Sequence, residues 1–148
     1  MTPSTWIVVA DSARAVIYSL SGRPKGLLPV REMAHPKSRL PSRELVSERP
    51  GRSFESVGRV RHAVTQSITP KMVEKLRFCL EVAHALEMAR KEGFIDHLVL
   101  VAPPAFLGEL KNRLTDKTNR IVDLEIPKDL TNISGHELRK HLPQSLFD

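Results

Sequence analysis

The sequence predicts a single α/β domain in which a mixed sheet carries helices on its faces. Three observations lead to this class. Three short apolar runs separated by turn residues open the chain, one strongly periodic helix follows a charged insertion, and strands then alternate with helices to the end. Since 148 residues is about the length of one domain, we treat residues 1–148 as one unit with a basic, arginine-rich insertion at about 35–68.

The first third of the chain predicts a three-stranded antiparallel meander. The run 5–10 (TWIVVA) is apolar throughout, which is typical of a strand covered on both faces. The runs 15–20 (AVIYSL) and 27–33 (LLPVREM) follow it, each after a stretch of turn residues. Because Pro29 cannot donate a hydrogen bond to a neighbouring strand, we expect the third strand at an edge of the sheet.

Residues 70–92 form the clearest helix of the sequence. Thr69 can cap it, Pro70 suits its first position, and Gly93 is a natural stop. An apolar stripe with steps of three and four is expected to face the core, and it comprises Met72, Leu76, Cys79, Ala83 and Leu86. The cysteine on this stripe is therefore interpreted as a buried, unreactive thiol.

The second half of the chain alternates strands and helices. Residues 97–102 predict a central strand, 103–114 a helix, 120–127 a half-exposed strand, and 134–141 a short helix that begins with a capping box at Ser134. The apolar face of the second helix comprises Phe106, Leu107, Leu110 and Leu114. A meander followed by crossover strands resembles the order of elements in ribonuclease-H-like folds.

Residues 35–62, called the basic segment below, carry seven Lys or Arg and three Glu, which is +4 of the net charge of +6. Clustered arginines favour a polyanionic partner, because the guanidinium fork matches phosphate oxygens. The candidate nucleic-acid contacts are Arg39, Arg43, Arg49, Arg52, Arg59, Arg61 and His62. One aromatic residue, Phe54, accompanies them and is a candidate interaction anchor. The partner is interpreted as structured RNA or the ribosome, with an acidic protein as the alternative.

Patterns that would indicate an enzyme are weak. The acidic residues Asp11, Asp96, Asp123 and Glu125 show no spacing that predicts convergence on metal ions, and Asp11 is interpreted as a turn residue. The six histidines lack the spacing of metal ligands. Neither a nucleophile elbow nor a glycine-rich phosphate loop is present. We therefore predict no catalytic residue, no metal site and no cofactor.

The cellular location follows from features that the sequence lacks. One cysteine cannot form an internal disulfide, the first residues do not form a secretory signal, and no apolar run approaches the length of a membrane span. A cytoplasmic protein with no membrane partner is the expectation. The oligomeric state is not predicted.

Three stretches resemble the bacterial host attachment protein family, whose members are named as required for attachment to host cells. These stretches are, in order, WIVVADSARAVIYS, HPKSRLPSRELVSERPGRSFES and HLVLVAPPAFLGELK. The family is in turn similar to the middle domain of archaeal and eukaryotic class-1 peptide-chain release factors. The resemblance implies a mixed sheet with flanking helices, and a basic loop ahead of the long helix that faces RNA.

The same resemblance limits the activity that can be expected. In release factors this loop carries a Gly-Gly-Gln motif, whereas the nearest glutamine here, Gln66, follows Val64 and Thr65. Without paired glycines the backbone lacks the freedom to approach an ester closely. The expected function is a non-catalytic RNA- or ribosome-associated module. The alternatives are a regulatory protein-interaction module that acts indirectly in attachment, and a diverged peptidyl-tRNA hydrolase.

Overall fold

The computed structural model describes residues 4–22, 25–39 and 69–148. The strands are β1 (Thr5–Ala10), β2 (Arg14–Ser21), β3 (Gly26–Ala34), β4 (His97–Val101) and β5 (Val122–Ile126). The α-helices are α1 (Pro70–Lys91), α2 (Pro104–Arg113), α3 (Asp116–Asn119) and α4 (Gly135–Arg139), and short 3-10 helices span Pro36–Arg39 and Gln144–Phe147.

The five strands form one mixed sheet in the order β3-β2-β1-β4-β5. β1 pairs with β2 and β2 with β3 in antiparallel fashion, which confirms the predicted meander. β4 lies parallel to both β1 and β5, so helical crossovers carry the chain back to the same end of the sheet. β3 lies at an edge, as Pro29 led us to expect.

Each face of the sheet has its own hydrophobic core. Side chains alternate along a strand, so Val8 and Leu100 face the layer of α1 and α2, while Ile7 and Val99 face the opposite layer. The second layer is made by the C-terminal part of the chain and contributes Leu130, Leu138, Leu142 and Phe147. β1 and β4 are buried on both faces, which confirms the interpretation of their continuous apolar runs.

The chemistry at the ends of α1 follows the sequence prediction. The Thr69 hydroxyl accepts the Met72 N–H at 3.1 Å, and Pro70 occupies the first turn, where its missing N–H is tolerated. The helix ends at Lys91, with the N–H of the following Glu92 still donating to the Met88 carbonyl, and Gly93 adopts a φ of +80° that other residues avoid.

The predicted apolar stripe of α1 is only partly correct. Cys79, Ala83 and Leu86 are buried, but Met72 is 45% exposed and Leu76 is half-buried. The buried face is instead completed by Phe78, Val82 and Ala89, together with Ala85 and Glu74. The first turns of α1 line a pocket together with the residues that follow β1 and β4, and Met72 and Leu76 face this pocket.

α3 is a four-residue helix that the sequence analysis did not predict. Its first residues are fixed from α1, because a carboxylate oxygen of Glu87 accepts the Thr115 N–H at 2.7 Å. Arg90 donates to the Thr118 hydroxyl at 2.7 Å, so α1 holds both ends of this short helix. Burial raises the pKa of Glu87, but the hydrogen bonds from Thr115, Thr118 and Arg90 outweigh burial and leave the pKa lowered.

The C-terminal elements begin as predicted and end differently. The Ser134 hydroxyl accepts the Glu137 N–H at 3.1 Å, which confirms the helix start, while α4 ends at Arg139 rather than near residue 141. The 3-10 helix Gln144–Phe147 was not predicted. Phe147 is buried in the second core, with the Arg139 guanidinium 4.0 Å from the centre of its ring.

Candidate binding site at the carboxyl edge of the sheet

The sequence-predicted contact residues mostly fall beyond what the structure describes. Arg39 is the last residue of the first 3-10 helix. The remaining candidates lie outside the described residues, and they are Arg43, Arg49, Arg52, Phe54, Arg59, Arg61 and His62. Their role as a contact surface therefore stays a prediction.

His35 fixes the position at which the basic segment leaves the sheet. Its backbone N–H donates to the Ala13 carbonyl at 2.8 Å, and its Nε2 lies 2.9 Å from Glu74 Oε1 on α1. The imidazole ring packs against Phe78 with 5.9 Å between ring centroids. A backbone hydrogen bond, a side-chain hydrogen bond and a ring contact together connect the end of β3 to α1.

Glu74 is the buried acceptor of this connection. Its side chain is only 4% exposed and receives hydrogen bonds from His35 and, at 2.8 Å, from Nη1 of Arg77. The hydrogen bond from His35 is the main reason that the pKa of Glu74 is lowered. Burial opposes this, and the charges of Arg77, His35 and Lys37 add to the lowering. The carboxylate is therefore ionised at neutral pH and fixes the start of the basic segment.

A cavity of about 680 Å³ opens beside this connection. We call it the carboxyl-edge pocket, because its floor is formed by the residues that follow the carboxyl ends of β1 and β4. Its lining comprises Asp11, Ser12, Ala13, Lys71, Met72, Lys75, Leu76, Cys79, Pro103, Ala105, Phe106, Glu109 and Asp129. The walls come from one face of α1 and from the first turns of α2.

Two carboxylates of the pocket meet at a buried threonine. Oδ1 of Asp11 accepts the N–H groups of Ala13 and Arg14, both at 2.8 Å, which confirms Asp11 as a turn residue. The Thr131 hydroxyl lies 3.1 Å from Asp11 Oδ2 and 2.8 Å from Asp129 Oδ1. The turn after β1 and the loop after β5 are thereby tied together at the edge of the sheet.

The other carboxylates near the strands form hydrogen bonds or ion pairs elsewhere and do not join this group. Asp96 accepts the Ser4 N–H at 3.3 Å, Asp123 lies 2.7 Å from His97 Nδ1, and Glu125 pairs with Lys111 at 2.9 Å. Among the described residues, no three His, Cys, Asp or Glu side chains are grouped so that they could hold a metal ion.

Cys79 lies at the base of the pocket as a buried thiol. Burial raises its pKa to about 11, with a further contribution from the Glu109 carboxylate that the Arg113 charge partly offsets. Compared with the ordinary value of 9.0, this leaves about a hundredfold less thiolate at pH 8.

We therefore expect the folded protein to react with a thiol reagent at least about a hundredfold more slowly than the unfolded protein at pH 8. The measurement is the rate of colour release from Ellman's reagent, with and without urea. Equal rates in the two states would show that the thiol is not protected.

The fold and its pocket define an open α/β domain with a ligand-sized crevice at the carboxyl ends of its parallel strands. A family model described as "Protein required for attachment to host cells" matches residues 6–142. The chain belongs to this family, and the resemblance drawn from its motifs is confirmed.

A search of solved structures matches the chain to an archaeal translation termination factor, aRF1, with a TM-score of 0.38 and 12% sequence identity. The match covers 93% of this chain and 37% of that chain, so the chain spans little more than a third of the factor's length. Comparison with curated proteins found no match. None of the helices in the described ranges is both long and apolar enough to cross a membrane.

The carboxyl-edge pocket was not predicted from the sequence, because its residues belong to different elements. Asp11, Pro103 and Asp129 follow three strands that are neighbours only in the folded sheet. The sequence does contain a feature that could have predicted the pocket. The carboxyl ends of parallel strands meet at one edge of a sheet, so the residues that follow those strands form a shared surface. The exposed Met72 is a second signal that only the structure reveals.

Proposed function

We propose that the chain is a cytoplasmic RNA- or ribosome-associated binding module whose basic segment is the contact surface. The observation that carries the proposal is the concentration of charge, since residues 35–62 hold +4 of the net +6. Arginine side chains in such a cluster bind phosphate oxygens through paired N–H donors, which positions a nucleic acid without reading its bases.

The described residues at the two ends of the segment support this proposal. The 3-10 helix near the start of the segment packs against α1, and the chain after the segment enters α1 at the N-cap residue Thr69. Further basic side chains, Lys71, Lys75 and Arg77, lie in the first turns of α1. Positive charge therefore continues from the segment onto the rigid scaffold, which favours association with a polyanion.

Binding, rather than peptidyl-tRNA hydrolysis, is the activity we propose. The resemblance to release factors concerns a loop that carries a Gly-Gly-Gln motif, and the basic segment has no such motif. A role in attachment to host cells would then be exerted through RNA or the ribosome and not by direct contact with the host.

The test is salt-dependent binding of labelled tRNA and of ribosomes to the wild type and to a variant with Arg49, Arg52, Arg59 and Arg61 changed to alanine. If the segment contacts phosphates, the affinity of the wild type falls steeply with salt. Each lost contact should then remove roughly 0.7–0.9 from the slope of log K against log salt concentration.

A matched control removes the same charge elsewhere. Lys117, Arg120, Lys128 and Lys140 are exposed and lie outside the first turns of α1, so their change to alanine should leave most of the affinity intact. Equal losses in the two variants would indicate a non-specific charge effect and contradict the proposal. Absence of binding at low salt would also contradict it, and capture of acidic proteins, with Phe54→Ala as a variant, would then test the rival partner.

A further inference from the structure

The carboxyl-edge pocket occupies the position where open α/β sheets bind ligands. β1 and β4 are parallel neighbours, and from β1 the chain turns to β2 on one side before it crosses to β4 on the other. A crevice outside the carboxyl ends of two such strands is the usual ligand site of this architecture. The volume of about 680 Å³ lies within the range of pockets for small organic ligands.

The charged side chains of the pocket differ in whether they already have a hydrogen-bond or ion-pair partner within the chain. Asp11 and Asp129 accept hydrogen bonds from the chain itself. Oε2 of Glu109 is buried and lies 3.4 Å from Nε of Arg113, but it accepts no hydrogen bond from the residues that the structure describes. Lys71 and Lys75, one helical turn apart on the same wall, have no hydrogen bond or ion pair with any residue that the structure describes. Among the described residues, the unsatisfied side-chain groups of the pocket are therefore two cations and one buried carboxylate oxygen. The cations suit a phosphate group, and the carboxylate oxygen can accept a hydrogen bond from a ring amine or a sugar hydroxyl.

The first turn of α2 adds donors to the same end of the pocket. Pro103 supplies no side-chain cap, so the N–H groups of Ala105 and Phe106 have no side-chain acceptor. These N–H groups belong to two residues of the pocket lining and complement the lysines of α1. A phosphate group has enough oxygens to accept from both helices at once.

The remaining lining residues suit a flat ligand group with polar edges. Met72 is 45% exposed at the wall, a high exposure for a large apolar side chain, and Leu76 and Phe106 lie on the same surface. Ser12 and the exposed Asp129 offer oxygen acceptors at the floor. A heterocyclic base would cover the apolar wall, and sugar hydroxyls or ring amines would donate to these oxygens.

We propose that the carboxyl-edge pocket binds a single nucleotide, with its phosphate at Lys71, Lys75 and the start of α2 and its base against Met72, Leu76 and Phe106. The nucleotide is either free or the terminal unit of an RNA chain. Lys71 and Lys75 also extend the positive charge of the basic segment, but none of the arginines of that segment is among the described residues that line the pocket. AMP binding is therefore tested separately from RNA binding by the segment.

The experiment is calorimetric titration of the full chain with AMP, adenosine, inorganic phosphate and decanoate. We expect AMP to bind more tightly than adenosine or phosphate alone, because it makes both sets of contacts. The Lys71→Ala and Lys75→Ala variants should each bind AMP about tenfold more weakly, the scale of one charge-assisted hydrogen bond. Ala105→Trp, at an exposed position of the wall, should block the pocket and abolish binding without entering the core.

Lys117→Ala and Lys128→Ala are the controls, since both lysines are exposed and neither lines the pocket. A ten-nucleotide RNA, with and without a 5′-phosphate, distinguishes a free nucleotide from the terminal nucleotide of an RNA chain as the ligand. Displacement of AMP by the phosphorylated RNA alone supports a chain end, and lack of displacement supports a free nucleotide. No AMP binding at millimolar concentration, equal binding by the lysine variants, or tighter binding of decanoate than of AMP would each overturn the proposal.

Discussion

Replacement of Phe78 by alanine is expected to lower the free energy of unfolding by about 3–5 kcal/mol. The ring is fully buried in the core between the sheet and the helices, and its centroid lies 6.2 Å from that of Phe106 and 5.9 Å from that of His35. Truncation removes this apolar contact and leaves a cavity that the surrounding helices cannot close. A loss of this size is a large share of the roughly 5–15 kcal/mol that stabilises a domain.

Urea unfolding followed by circular dichroism measures this loss. Leu80→Ala on the same helix is the matched control, because Leu80 is 50% exposed and its truncation should change the free energy by less than about 0.5 kcal/mol. Phe78→Leu keeps most of the volume and provides a measurable variant if the alanine variant does not fold. Equal stability of the Phe78 and Leu80 variants would contradict the assignment of Phe78 to the core.

Replacement of Glu74 by glutamine is expected to destabilise the protein by about 2 kcal/mol at pH 7, the scale of a hydrogen bond to a charged group. We expect no larger loss of stability, because Arg77 is half exposed and water can solvate its guanidinium after the change. Glu92→Gln is the control, since it removes a carboxylate at an exposed position just after the same helix.

The effect of Glu74 should also depend on pH in a defined direction. Its pKa is lowered from the ordinary value of 4.5, so its contribution to stability is fully present above that pH and is lost as the pH falls through the folded value. The difference in unfolding free energy between the wild type and Glu74→Gln should therefore shrink as the pH falls below the ordinary value of 4.5. A difference that stays constant as the pH falls would contradict the lowered pKa of Glu74.

Local chemistry accounts for the parts of the fold that the sequence predicts well. Thr69, Pro70 and Gly93 act within one helical turn of their own positions, so the ends of α1 can be read directly from the chain. The continuous apolar runs of β1 and β4 likewise report burial on both faces.

The parts that were missed depend on residues that are distant in the sequence. Periodicity places Met72 and Leu76 on a stripe, but it does not reveal that both side chains line a pocket with the residues that follow β1 and β4. α3 is fixed by Glu87, which lies 28 residues before the Thr115 that it binds. The pocket needs both the strand order and the helix packing, and neither is visible in a single pattern.

The edges of the sheet bear on how the protein behaves at high concentration. Within the part of the chain that the structure describes, no strand pairs with the outer side of β3, a strand of nine residues. The backbone groups of such an edge are those on which a second chain could add a strand. Pro29 removes one donor from this row, and the exposed charges of Arg31 and Glu32 would have to be desolvated by an incoming chain. At the opposite edge, Asp123 and Glu125 are exposed on β5. Charge at both edges, with a proline at one, therefore opposes aggregation by strand addition.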